Sequence, residues 1–312
     1  MAKVEVRGAY GDALKELGGM NPKVVVLEAD VGASTKSAVF GKAYPERYFN
    51  MGIAELNMQA AAAGIASCGL IPFVNTFAVF MVTRGLDPIL SMIAADNLNV
   101  KLAGGYTGFS DSYDGASHQA ITDISMVRAI PNLTVLSVCD AVQCRKMVFE
   151  MAKHEGPVYI RLSRAATDVI YTDADEFKIG GAKQLTGGND VTIFATGYMV
   201  QKSLAAAELL KADGINARVV DIYSLKPVDA KLAAKCASET GCAVTVEEHN
   251  VSGGLGSIIC DVLSQSCPVP VEMVGVNDEF GQSGDYEKLL IKYGLCAENI
   301  AAKAKAAIAR KK

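Results

Sequence analysis

The chain has 312 residues, half of them hydrophobic and 21% charged, which is enough apolar surface for two buried cores and excludes bulk disorder. A formal net charge of −4 and a pI of about 5.5 leave no electrostatic footprint for nucleic acid or an anionic membrane. No apolar run reaches the roughly 20 residues of a membrane span, because the nearest approach, residues 64–81, is broken by Cys68-Gly69, Pro72 and Asn75.

In chain order, residues 1–20 predict a lead-in helix, with Ala9, Leu14 and Leu17 near helical spacing and Gly18-Gly19 as its stop. Residues 24–27 form a buried-strand run that opens into the polar loop 28–35, where an open α/β sheet binds ligands. A helix rich in alanine begins near Glu55, in the stretch Phe49-Asn50-Met51-Gly52-Ile53-Ala54-Glu55-Leu56-Asn57-Met58-Gln59. Strand runs follow at 70–74 and 98–102, with residues 76–80 leading into a helix between them. Residues 104–119 make a long, glycine-rich, polar loop of the kind that is functional or disordered. Further helices are expected at 121–130 and 141–153, and strands at 134–138 and 158–162. Strands alternating with helices predict a parallel α/β sheet covered on both faces.

Composition changes between about 171 and 189, where acidic residues and the pairs Gly180-Gly181 and Gly187-Gly188 read as a linker or edge hairpin. A second α/β unit is expected beyond it. Its strands fall at 191–195, 217–222 and 243–247, and its helices near 200–212, 229–240, 256–263 and 286–293. A terminal helix with a frayed end is expected from 301 to 312. The eight cysteines lack the paired spacing of a zinc site, and the first residues show no charged-then-apolar leader. Reduced thiols in a cytoplasm are the expectation.

Chemistry-bearing residues stand at strand ends of the first unit. A lone buried acid such as Glu55 is costly if ionised and unpaired, although a helix N-terminus also favours a glutamate. His118, one of three histidines, lies in a Gly/Asp/Ser loop suited to proton transfer or hydrogen bonding. Arg164 ends a strand, where it fits either a bidentate anion contact or a surface salt bridge.

Four segments, Gly52-Ile53-Ala54-Glu55, Thr76-Phe77-x-x-Phe80, Asp114-Gly115-Ala116-Ser117-His118-Gln119 and Leu162-Ser163-Arg164, occur in this order and spacing in a known family. The chain resembles the C-terminal half of transketolase, over nearly its whole length. The resemblance implies two three-layer α/β/α domains. Residues 1–172 would be a pyrimidine-binding domain, 173–188 a linker and 189–312 a transketolase C-terminal domain. It also implies thiamine diphosphate as cofactor, with Glu55 hydrogen-bonding N1′ of the aminopyrimidine. Phe77 and Phe80 match aromatics that pack on that ring, and Asp30 an acid near the thiazolium. Asp114 matches an acid that reads a sugar hydroxyl, His118 a histidine near the reacting centre, and Ser34 and Arg164 groups that hold the sugar's terminal phosphate. The implied reaction moves a two-carbon ketol unit from a ketose to an aldose.

There are departures from the family pattern. Tyr106 stands where many transketolases carry a donor-binding histidine, the loop 110–113 is altered, and Thr83 replaces a common aromatic. The Gly-Asp-Gly segment that holds Mg²⁺ with the diphosphate is absent from the sequence. The resemblance therefore implies one subunit of a split enzyme, partnered by an N-terminal subunit that supplies the Mg²⁺ ligands, in an α2β2 assembly. The run Ala60–Ala63 would serve close helix approach, at such an interface or within the domain. The element Val246-Glu247-Glu248-His249-Asn250 with its glycine turn resembles the family's C-terminal domain and is read as structural and dimer-forming. Alternative readings are the β subunit of a 2-oxoacid dehydrogenase, 1-deoxyxylulose-5-phosphate synthase, or a non-catalytic α/β binding module.

Overall fold

The computed structural model describes residues 3–311. Its strands in chain order are β1 Lys3–Glu5, β2 Val24–Glu28, β3 Tyr48–Asn50, β4 Ile71–Phe77, β5 Lys101–Gly105, β6 Thr134–Ser137, β7 Val158–Leu162 and β8 Ala166–Asp168, followed by β9 Lys183–Gln184, β10 Val191–Ala195, β11 Ala217–Asp221, β12 Ser224–Lys226, β13 Ala243–Asn250 and β14 Val271–Val276. A seven-stranded sheet has the order β12-β6-β7-β5-β4-β2-β3, and a five-stranded sheet the order β14-β13-β10-β11-β9. Every pairing in the first is parallel except β12 on β6, and every pairing in the second except β9 on β11. The fold is thus the expected one of two α/β units built on parallel-rich sheets.

Sheets of this kind are buried on both faces, which is why their strands read as unbroken apolar runs. β2 (VVVLE) and β10 (VTIFA) are buried at every residue. Helix starts follow local chemistry. Asp140 accepts the Gln143 N–H at 2.7 Å at the head of the helix Ala141–Lys153, and Asp229 accepts the Leu232 N–H at the head of Ala230–Thr240.

Several elements depart from expectation: β1 takes the start of the expected lead-in helix, and β3, β8 and β14 lie outside the expected strand runs. β4 continues past Val74 to Phe77, because the buried polar Asn75 is satisfied within the sheet, donating to the carbonyls of Leu27 and Phe73 and accepting from Tyr10. β5 starts at Lys101, three residues later than expected. That lysine is fully buried and donates to the carbonyls of His154 and Gly156, both at 2.7 Å. β12 belongs to the second half of the chain in sequence but to the first sheet in space. The expected linker region contributes β9, an edge strand on β11.

Candidate functional site

All the singled-out residues of the first unit leave the C-terminal ends of parallel strands. Asp30 and Ser34 follow β2, Glu55 follows β3, Phe77 and Phe80 lie at the end of β4, the loop 106–119 follows β5, and Arg164 follows β7. That edge is where an open α/β sheet binds ligands.

An aromatic wall forms the centre. Phe77 stacks on Tyr106 at 4.2 Å between ring centroids and lies 6.0 Å from Phe80, while the His118 ring meets Phe80 edge-on at 5.0 Å. Ser117 Oγ and His118 Nδ1 are 2.9 Å apart, which fixes one nitrogen of the half-buried imidazole. Tyr106 and Asp30 adopt left-handed backbone, with φ of 61° and 62°. Non-glycine residues in that region cost of order 1 kcal/mol, and such strain clusters at functional sites.

Glu55 is the first residue of the helix Glu55–Ser67 and only 4% exposed. Its carboxylate is not alone. The Arg84 guanidinium stands 3.1 Å from Oε1 and lies over the Phe80 ring at 4.0 Å. Phe80 and Arg84 are four residues apart in a helical segment, the spacing at which side chains share a face. That spacing is the sequence signal that could have revealed the pair. Ala62 and Ala63 of the same helix are buried in the core, which accounts for them as intradomain packing.

A positively charged side closes around Tyr106. Arg7 donates to the Tyr106 hydroxyl at 2.7 Å and to the Ser34 carbonyl at 3.0 Å, and Arg164 lies 5.4 Å from the centre of the Tyr106 ring. Ser34 thus contributes its carbonyl to Arg7. Arg7 had no local sequence signal, since it sits 99 residues before its hydroxyl partner. Asp111 is 1% exposed, with neither carboxyl oxygen hydrogen-bonded among the described residues, and Arg164 stands 3.6 Å away. Burial, reinforced by the charge of Asp114, pushes Asp111 up to about 7, and Arg164 opposes the shift. Asp114 is itself exposed. Asp30 is also exposed and bonds Asn50 at 2.9 Å, at the margin of the cluster. Next to it, burial pushes Glu28 up to about 7, against backbone N–H groups of Gly32 and Val31 that favour its charged form.

The site therefore combines a buried carboxylate, a flat aromatic wall, a histidine with one fixed nitrogen and a pair of arginines. It can hold a planar heterocycle against Phe80 and Glu55 while an anion is held near Tyr106. The description "Transketolase, pyrimidine binding domain" matches residues 2–169, and "Transketolase, C-terminal domain" matches residues 180–300. The chain belongs to the transketolase family. Its backbone is similar to a solved structure titled "Split gene transketolase, inactive beta4 tetramer", at 46% identity and a TM-score of 0.91, covering 100% of both chains. It is 40% identical to the 6-deoxy-6-sulfo-D-fructose transketolase subunit of Clostridium sp. (strain MSTE9), over 95% of this chain and 92% of that one. It is 37% identical to one subunit of the apulose-4-phosphate transketolase of Phocaeicola vulgatus, over 95% of each.

Proposed function

We propose that this chain is the C-terminal subunit of a split transketolase, moving a two-carbon ketol unit from a ketose to an aldose only when assembled with an N-terminal subunit as α2β2. The observation that carries this reading is the convergence of Glu55, the Phe77–Phe80–His118 wall and the Arg7–Arg164 pair at one sheet edge, in a chain of this family. The organisation goes with it: a pyrimidine-binding domain at 1–172, a linker at 173–188 and a C-terminal domain at 189–312.

The residues present fit thiamine diphosphate on the pyrimidine side. Arg84 offers Glu55 an N–H and Phe80 a flat face, the same two contacts that an aminopyrimidine would make. When bound, the cofactor supplies an acidic ring carbon and an electron sink beside the sugar carbonyl. Glu55 would hold the proton shared with the ring nitrogen, in a setting where low local dielectric strengthens that bond. Phe77 and Phe80 pack the ring and exclude water. With His118 Nδ1 engaged by Ser117, Nε2 is the nitrogen left for a sugar oxygen. Asp114 would read a sugar hydroxyl, and Asp30, at the margin of the cluster beside Asn50, would serve the cofactor's second ring.

Arg7, Arg164 and Tyr106, with Ser34 beside them, hold the sugar's terminal anion. Two similar proteins are named for a sulfonated ketose and a ketose phosphate, and both carry the tetrahedral anion that an arginine pair suits. The residues present do not fit Mg²⁺: no group of three or more His, Cys, Asp or Glu converges among the described residues. Its ligands are assigned to the N-terminal subunit. Phe49, Ile53 and Leu56, exposed around the start of the Glu55 helix, offer an apolar face to that subunit. All eight cysteines are free thiols, and no helix among the described residues is long and apolar enough to cross a membrane. A cytoplasmic setting accords with the free thiols.

The test is calorimetric titration of thiamine diphosphate with Mg²⁺ into this chain alone and into its mixture with an N-terminal subunit. Binding only in the mixture, followed by turnover of a ketose carrying a terminal phosphate or sulfonate, is the expected result. Tight binding by the chain alone would overturn the split-site reading.

A further inference from the structure

The second half of the chain reaches the cleft through one buried carboxylate. Glu248, on β13, is 4% exposed, its Oε1 accepting the Phe109 backbone N–H at 2.6 Å and its Oε2 the Tyr286 hydroxyl at 3.1 Å. Phe109 lies between Tyr106 and Asp111 on the loop that also bears Asp114 and His118. The neighbouring Gly108 has φ +60°, and a Cβ there would come within 2.2 Å of the Glu248 carboxyl carbon. The loop backbone therefore rests directly on the carboxylate, at a position only glycine allows.

Two further contacts fasten the same loop. The Phe109 ring stacks on Tyr293 at 4.5 Å and 19°, and at the loop's far end Gln119 donates to the Gln282 carbonyl at 2.9 Å. An untethered loop would have to be ordered by the sugar, at a cost drawn from binding. Removing Glu248 also leaves the buried Phe109 N–H without a partner, which penalises the closed position of the loop.

We propose that Glu248 is a positioning residue for the sugar: by holding the Phe109 N–H it sets the loop 106–119 in place, so the C-terminal half governs sugar affinity far more than thiamine diphosphate affinity, which the loop touches only through Tyr106 on Phe77 and His118 on Phe80. This rests on the assignment of Tyr106, Asp114, His118 and Arg164 to the sugar side of a transketolase site. The hydrogen bonds of the Glu248 carboxylate run to the loop and to Tyr286, and none to Glu55, Phe77 or Phe80.

The experiment compares Glu248→Ala with Glu248→Gln, which keeps an acceptor for the Phe109 N–H. Backbone hydrogen exchange is read on the full chain. Donor KM and thiamine diphosphate Kd are read on the two-subunit assembly. For Glu248→Ala, exchange within 106–119 and donor KM each rise about tenfold while the cofactor Kd stays within about twofold, and Glu248→Gln restores most of both. If Glu248→Ala does not fold, Tyr293→Leu removes the ring under Phe109 and is expected to loosen the same loop. Unchanged loop exchange, a cofactor Kd that weakens in step with KM, or no rescue by glutamine would each overturn the proposal. Exchange is independent of turnover, so a wild-type assembly that processes no ketose would count against the transketolase reading, while the exchange result still decides the clamp.

Discussion

The two walls of the cleft differ in what stands behind them. On the pyrimidine side, Glu55 is buried, but its partner Arg84 is half exposed, and Phe49, Ile53 and Leu56 beside it face outward at 44%, 74% and 54% exposure. On the sugar side, the loop 106–119 is backed by Glu248, Tyr293 and the Gln282 carbonyl, all from the second half of the same chain. An ion pair with one half-exposed member is worth little, about 0–1 kcal/mol, and changes partners easily. A carboxylate holding an interior N–H cannot let go without stranding it. One wall is thus ready to accept a new partner, and the other is finished before a ligand arrives.

That contrast can be broken from either side. The largest expected effect is on the open wall: Glu55→Gln keeps the fold but lowers turnover in the assembled enzyme about 100-fold or more, the scale of a lost proton-transfer group. Wild-type turnover by this variant in a steady-state assay would remove Glu55 from the proton path. On the closed wall, Arg164→Ala is expected to raise KM about ten- to a hundredfold for donors with a terminal phosphate or sulfonate, and to leave uncharged sugars nearly unaffected. An equal rise for both kinds of donor would show that Arg164 does not read the anion.

Asp111 tests whether the closed wall is complete without a partner. Its folded-state pKa of about 7 lies above the ordinary aspartate value, so the folded chain binds the extra proton between about pH 4 and 7. Stability therefore falls as pH rises through that window. Asp111→Asn removes the penalty and is expected to stabilise the isolated chain by about 1–2 kcal/mol at pH 8, with little change at pH 4. Denaturant melts at the two pH values check the sign, and a variant less stable at pH 8 would reverse the argument. The smallest effect returns to the open wall. Arg84→Ala frees Glu55 and the Phe80 face, and is expected to tighten thiamine diphosphate binding by the assembly about two- to fivefold in calorimetry. Weaker binding would make Arg84 a contact of the cofactor instead of its placeholder.

What the sequence showed of this site was local. Glu55, Phe77, Phe80 and His118 sit in short motifs at strand ends, and the structure brings the two phenylalanines and the histidine into one aromatic wall. The helix Ala141–Lys153 and strand Val158–Leu162 were legible to the residue because an Asp cap and an unbroken apolar run mark them. Arg84 is legible only through its four-residue spacing from Phe80 on one helical face. Arg7 and Glu248 act through partners 99 and 139 residues away, and no periodicity carries that information. β4 runs three residues past its expected end because buried Asn75 looks like a strand breaker until its hydrogen bonds are known, and β5 lies three residues later than expected at both ends.

The short strand β12 has an evolutionary consequence. It pairs Ser224 with Leu136 and Lys226 with Val135, so a piece of the second half seals the edge of the first sheet. Severing the chain between 173 and 188 would strand β12 and bare the edge of β6, an invitation to aggregate. Recombination that exchanged one half for a relative's would have to bring a matching edge strand with it. The two halves are therefore expected to be inherited together, and a gene encoding them is better broken outside this pair than within it.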